Sequence, residues 1–589
     1  MKPKLHAAGQ QSGLRSALTA APAAAAFLFA VVTAAVLPAA NADLILYNGK
    51  IVTVDEKFSL AEALSIKNGK ITKVGTTRQV FSTERGPRTG RIDLKGRTVL
   101  PGLIDSHVHP IEAGLSELQG PLPPLDSFEA IQDFIRGKMA STPKGRWIIV
   151  PRTFPTRLKQ MRMPTREVLD VAAEHPVLFD ASYTVVVNSF ALKISGITRD
   201  TPNPPNGEIV KDARGEPNGI LRNAQSLLKG LDRGELATEQ EKLAGLEKIL
   251  KLYVEAGLTA ITDRALTPAD FPLYEKLKAE KRLPLRVVMT WWIDASRPTD
   301  ELIRQIRTAP YVTGKGDSWL KFGALKVTLD GGMTIGTAFQ RTPYGAFGKQ
   351  LYGLTRPDDR GQLFIDREKL RAIERAGHAR GWQLAAHDQG GGAIDAMLDA
   401  FEAADKDRPI AASRSHLIHA SFQSPEAIAR AKKLGILIDA QSDWLYRDAE
   451  ALEKVFTSEG MRYFYPMRSY LDAGLIVAGG SDHMIGYDKN RAVNPYNPFL
   501  QMWIAVTRQT DRGRVVHPEQ RISREEALKT HTIWAAYMQF AEQERGSIEP
   551  GKLADLVVID RDYLTCPEDQ IKSIEPQMVI VDGRVAVQR

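Results

Sequence analysis

The sequence predicts an α/β protein: a distorted (β/α)8 barrel with a small β-sandwich domain assembled from both ends of the chain. Three observations carry the prediction. Short apolar runs alternate with helix-like amphipathic spacers through the body of the 589-residue chain, which is the pattern of repeated βα units. Short strands joined by tight turns flank that body on both sides. Several of the apolar runs end in His, Lys or Asp, at the strand ends where such barrels keep their functional residues. Composition agrees: 25% charged and 43% hydrophobic residues exclude a disordered, collagen-like or multi-span membrane chain. The lone cysteine, Cys566, excludes an intrachain disulfide and a cysteine-rich metal site.

Residues 1–42 read as a secretory signal. Lys2, Lys4 and Arg15 make a positive start, and an alanine-rich apolar stretch covers 17–37. Pro38 breaks that stretch, and Ala40-Asn41-Ala42 forms a small-x-small cleavage signature before Asp43. The expected location is therefore periplasmic or secreted, with no membrane anchor once the signal is cleaved. No cysteine for a lipid anchor and no Arg-Arg pair for a twin-arginine address accompanies it. Cleavage removes three basic residues and no acid, so the net charge falls from +8 to +5. Basic and acidic residues interleave along the rest, which argues against nucleic acid as a partner.

The small β domain is expected over 43–98 and 541–589. Strand candidates lie at 44–47, 51–54, 63–66, 71–74, 554–559 and 578–581, and Asn48-Gly49 and Asn68-Gly69 supply hairpin turns. The barrel is expected over 99–540. Its strand candidates are 98–105, 258–262, 283–289, 320–326, 383–387, 415–419, 436–440 and 475–480, with helical spacers such as 367–379 and 393–404. Residues 114–233 carry many prolines, break the alternation and read as an insertion covering the barrel mouth.

Asp105-Ser106-His107-Val108-His109 is the strongest local signal. Strand side chains repeat every two residues, so both imidazoles face one way and can bind one cation. Two polar loop histidines would look the same in isolation. His387 and His419, however, also end apolar runs, and Asp482 ends Ala478-Gly479-Gly480-Ser481. Lys326 sits in an apolar strand, where a lysine is costly unless neutralised or paired.

With these residues in view, the chain resembles the amidohydrolase superfamily, and within it the amidohydrolase 3 branch of N-substituted formamide deformylase-like enzymes. The resemblance rests on the His-x-His strand Pro101-Gly102-Leu103-Ile104-Asp105-Ser106-His107-Val108-His109 and the ending Gly551-Lys552-Leu553-Ala554-Asp555-Leu556. It also rests on 206–210, 215–221, Asp330-Gly331-Gly332 and Arg341-Thr342-Pro343-Tyr344. It implies a metal-dependent hydrolase of a non-peptide C–N bond with two divalent ions, zinc by default. His107, His109 and Asp482 would hold one ion and His387 and His419 the other, with a carboxylated Lys326 as the bridge. Asp482 would be the catalytic proton shuttle for an activated water. Tyr183 replaces a histidine over the site and is a candidate substrate-binding donor or a packing residue, while Asp388 reads first as a solvated loop residue and second as a partner standing behind a ligand, and Ile418 replaces a glutamate. The expected partner is a small-molecule substrate, and a homodimer is the assembly left open. A deaminase, an ester or carbamate hydrolase, and a catalytically silent binding protein are the alternative readings of the same barrel.

Overall fold

The computed structural model describes residues 41–118, 120–231 and 237–589; the signal segment lies outside the described residues except for Asn41 and Ala42. Eight parallel strands form one sheet in sequence order: β1 Leu103–Val108, β2 Leu258–Leu266, β3 Arg286–Trp292, β4 Leu320–Thr328, β5 Leu384–Asp388, β6 His416–His419, β7 Leu437–Ala440 and β8 Val477–Gly479. Almost every residue of these strands is buried, because helices cover the outside and side chains fill the inside. The ladder does not continue directly from β8 to β1. The barrel closes just past β8, through a parallel bridge between Val108 and His483 and hydrogen bonds from Asp482 N–H to His107 O and from His109 N–H to His483 O, both 2.8 Å.

The helices between strands form where the sequence caps them. Glu239–Glu255 begins at Thr238, whose hydroxyl accepts the Glu241 N–H while the Glu241 carboxylate accepts the Thr238 N–H. Leu243, Leu246, Leu250 and Tyr253 fall on its buried face. Gly257, at φ +98°, turns the chain out of the helix and into β2. Among the described residues no helix is long and apolar enough to cross a membrane.

Two sheets form the small domain. One orders strands 70–75, 63–67, 44–47 and 90–93, and the other orders 584–588, 576–581, 556–559, 98–101, 50–52 and 60–61. Their facing residues, among them Leu46, Ile51, Leu64, Val99, Leu556 and Ile580, make one core from both ends of the chain. Asn68 and Gly69, at φ 48° and 74°, make the two-residue turn between paired Lys67 and Lys70. The conspicuous Asp555 of the C-terminal motif pairs in bidentate fashion with buried Arg286 of β3, at 2.7 and 3.0 Å, and so ties this domain to the barrel.

The apolar run 98–105 is two elements, not one. Thr98–Pro101 belongs to the small domain, where it pairs with 50–52 and 556–559, and β1 starts after Gly102. A side chain at Gly102 would meet Thr259 Oγ1 at 2.1 Å, so the chain can switch sheets there only as glycine. Between β1 and β2 a separate five-stranded sheet orders 208–211, 217–222, 184–187, 177–181 and 148–150.

Candidate active site

The six residues read as ligands lie on one cavity of about 490 Å3 at the C-terminal ends of the strands. His107 lies one residue before the end of β1 and His109 just past it; their Nε2 atoms are 3.2 Å apart. Asp482 Oδ1 lies 3.2 Å from His107 Nε2 and 3.1 Å from His109 Nε2. These three side chains form a group that can hold a metal ion, with ligand atoms within 4.8 Å of one another. On β5 and β6, His387 Nδ1 and His419 Nε2 are 3.0 Å apart. The rings of His419 and His107 are 5.2 Å apart and join the two groups. Lys326, near the end of β4, is 4% exposed, and its ammonium has no hydrogen-bond or ion-pair partner among the described residues.

Local backbone geometry explains the convergence. His419 and Asp482 adopt φ of 70° and 55°, a left-handed conformation that L side chains adopt at a cost and that concentrates at functional sites. Asp482 reaches His107 because Gly480 precedes it: a Cβ at Gly480 would lie 2.6 Å from His107 N and 2.9 Å from His107 Cβ.

The electrostatics suit a cation. Burial, then the charge of Lys326, holds His107 far below the usual imidazole range. Burial also depresses His387 strongly and brings His419 down to about 4, against the pull of Asp482. All three imidazoles are therefore neutral near pH 7, the form that ligates metals. Burial works against ionisation of Asp482, but the His109 hydrogen bond and the positive field of its neighbours hold its carboxyl below the usual range. Burial lowers Lys326 to about 8, opposed by Asp482. Ring nitrogens aimed at one another and at one carboxylate oxygen, in a buried setting, fit a divalent ion.

Residues between β1 and β2 also line the cavity. The Tyr183 ring meets the His387 ring edge to face, with centroids 5.3 Å apart, and lies 5.5 Å from the Phe364 ring. Burial, then Asp482 and Asp330, raises its hydroxyl pKa, so the hydroxyl stays a donor. Arg152, also from the insertion, pairs with Glu112 at 2.9 Å and Asp180 at 3.2 Å. It stands between this cavity and an adjoining one of about 570 Å3.

Other residues at the site are not marked by the sequence reading as functional. Trp444 Nε1 donates to Asp482 Oδ2 at 3.2 Å, and Asn494 Nδ2 donates to Asp482 O at 3.0 Å. Buried Asp330 accepts the N–H groups of Phe339, Gln389 and Gly390 at 2.8–3.0 Å, which draws the loop after His387 inward. Its only sequence signal is the Asp-Gly-Gly motif. Asp388 corrects the expectation of a solvated loop residue: it is fully buried, and burial followed by repulsion from Asp330 raises its carboxyl pKa well above the ordinary value. Ile418 packs with Ala324 and Ala385 in the apolar interior.

Known proteins resemble this chain along most of its length. The chain is 29% identical over 557 residues to an N-substituted formamide deformylase of Arthrobacter pascens, covering 93% of this chain and 98% of that protein. It is 28% identical over 545 residues to the protein LONG AFTER FAR-RED 3 of Arabidopsis thaliana, covering 88% and 87%. The structure of an uncharacterized metal-dependent hydrolase from Pyrococcus horikoshii OT3 superposes with a TM-score of 0.65 at 22% identity, covering 89% of this chain and 99% of that one. Residues 91–587 match the amidohydrolase family, and the chain belongs to that family of metal-dependent hydrolases.

Proposed function

We propose that this amidohydrolase is an exported enzyme that hydrolyses the C–N bond of a non-peptide amide, with two divalent ions held by His107, His109, Asp482, His387, His419 and a carboxylated Lys326. One observation carries the reading: the six side chains line a single cavity at the strand ends, although they are up to 375 positions apart in the chain. Zinc suits the imidazole and carboxylate donors. Bound there, the ions supply Lewis acidity and lower the pKa of water.

The chain's own residues supply the rest. Lys326 is buried beside Asp482, and its ammonium makes no hydrogen bond or ion pair among the described residues; its lowered pKa leaves a share of neutral amine near neutral pH, the form that adds to carbon dioxide. The product is an anionic ligand, which relieves the cost of a buried ammonium. Trp444 and Asn494 hold the Asp482 side chain and backbone. The Asp482 carboxylate accepts the proton of the attacking water and returns it to the departing nitrogen. The Tyr183 hydroxyl donates to a substrate oxygen, and the insertion keeps bulk water out. The A. pascens relative, named for acting on N-substituted formamides, supports an amide-type substrate. The Ala40-Asn41-Ala42 signature supports export.

The test is a hydrolysis screen over N-formyl, N-acyl, carbamate and ester compounds, with metal analysis of the same preparation. Amine release from N-formyl or N-acyl compounds with two metals per chain is the expected result. Turnover of esters alone, deamination alone, or a fully active metal-free protein would overturn the reading.

A further inference from the structure

Beneath the candidate ligands, a charged pair crosses the barrel interior. Arg264 of β2 and Asp439 of β7 meet at 2.8 Å, with side chains 2% and 0% exposed. Around the barrel wall these strands are separated by β1 and β8, so the contact runs through the interior. Both partners also grip β1 next to His107. Arg264 Nε donates to the Ser106 carbonyl at 2.8 Å, and the Ser106 hydroxyl donates to Asp439 Oδ1 at 2.5 Å. A second guanidinium nitrogen lies 2.8 Å from His416 Nε2 of β6. Gln441 donates to Asp439 Oδ1 at 3.0 Å. Asp439 Oδ2, the oxygen facing Arg264, also faces His107 Nδ1 at 3.7 Å. That Nδ1 is buried and makes no hydrogen bond, while Nε2 of the same ring points at His109 and Asp482.

We propose that Asp439 is a positioning residue for the metal centre: it holds the Nδ1–H of His107 so that the Nε2 lone pair faces the ion, and Arg264 offsets its charge. The inference rests on the metal-dependent reading above. An imidazole ligates through one nitrogen only when the other carries the proton, and a carboxylate on that far side selects the tautomer and the ring orientation. A carboxylate alone inside the barrel would be costly. Arg264 offsets that cost, and its bond to Ser106 O fixes the backbone beside the ligand. The competing account is a charge pair that only fills the barrel interior.

Two variants separate these accounts, with zinc binding to the metal-stripped protein measured by chelator competition and folding followed by thermal melts. Asp439→Asn keeps the shape but loses the acceptor on the His107 side. The double variant Arg264→Met/Asp439→Leu removes both charges, a replacement that buried ion pairs often tolerate. Zinc affinity is expected to fall by about 10–100-fold in both, the usual effect of losing such a partner. The double variant decides if Asp439→Asn does not fold. A folded double variant with the parent's zinc affinity would overturn the positioning role and leave the functional reading intact. A folded parent that takes up no zinc would overturn both.

Discussion

Asp482→Asn removes one negative charge and one acceptor where the surrounding groups use both. Asp482 Oδ1 faces the two Nε2 atoms of His107 and His109 at 3.2 and 3.1 Å, and Oδ2 accepts the Trp444 indole N–H at 3.2 Å. An amide whose oxygen stays with the two histidines, the side that faces the ion, aims its NH2 at the Trp444 indole N–H, so a buried donor is left facing a donor. That costs ~1–3 kcal/mol of stability. The retained oxygen can still bind a metal, but the base is gone, and a positioned general base contributes ~10²–10⁴-fold in rate. Turnover should therefore fall by at least about 100-fold, with metal content largely kept and a lower melting temperature. The assay is kcat and KM for amine release, with metal analysis and a thermal melt on the same sample. A metal-replete variant that keeps more than about a tenth of the parent's kcat would refute the shuttle, given that expected range.

Lys326→Ala should lose activity and metal, with partial recovery on adding short carboxylates; full activity at full metal content would exclude the bridging role. Gly480→Ala forces a Cβ to within 2.6 Å of His107 N; it should cost ~1–3 kcal/mol as overpacking and displace Asp482, seen as lost metal in a still-folded protein. Burial brings His531 down to about 4, while the unfolded chain protonates it near pH ~6.5. The contribution of His531 to stability is then full above pH ~6.5 and is lost as pH falls toward 4, by about 3 kcal/mol. His531→Gln should remove most of that loss in denaturant melts at neutral and acidic pH, and an identical loss in parent and variant would refute it. N-terminal sequencing of the exported protein should begin at Asp43, and intact chain in the membrane fraction would refute cleavage. Ala42 is 3% exposed and donates to Glu84 O at 2.9 Å, so cleavage beside it requires a small domain that has not yet folded.

The barrel strands are legible because parallel strands buried on both faces are nearly continuous apolar runs. Each run carries that burial in its own residues. The candidate ligands are legible only together: any one histidine or lysine at the end of such a run has a bland explanation, and it is their joint order along the chain that points to a metal. Contacts between distant strands leave no such trace. Trp444 meets Asp482 because the segments after the paired strands β7 and β8 lie side by side, and Arg264 meets Asp439 only across the interior. In sequence, Thr262-Asp263-Arg264 looks like an apolar run giving way to a polar loop, yet β2 continues buried through Arg264 and ends at Leu266. Asp388-Gln389-Gly390 looks solvated for a similar reason, until Asp330 gathers the Gln389 and Gly390 N–H groups and pulls the segment inward. The same closure that hides these contacts also orients the site. His107 and His109 could face one way on any strand, but a third ligand reaches them only where Gly480 lets β8 approach β1 and the left-handed turn at Asp482 aims its carboxylate back at them. Residue types at strand ends therefore specify which atoms can bind a metal. Whether those atoms meet is decided by the closure of the barrel; the glycines before Asp482 announce the close approach in sequence, whereas Trp444, Arg264 and Asp439, which meet the site from other strands, are left unmarked.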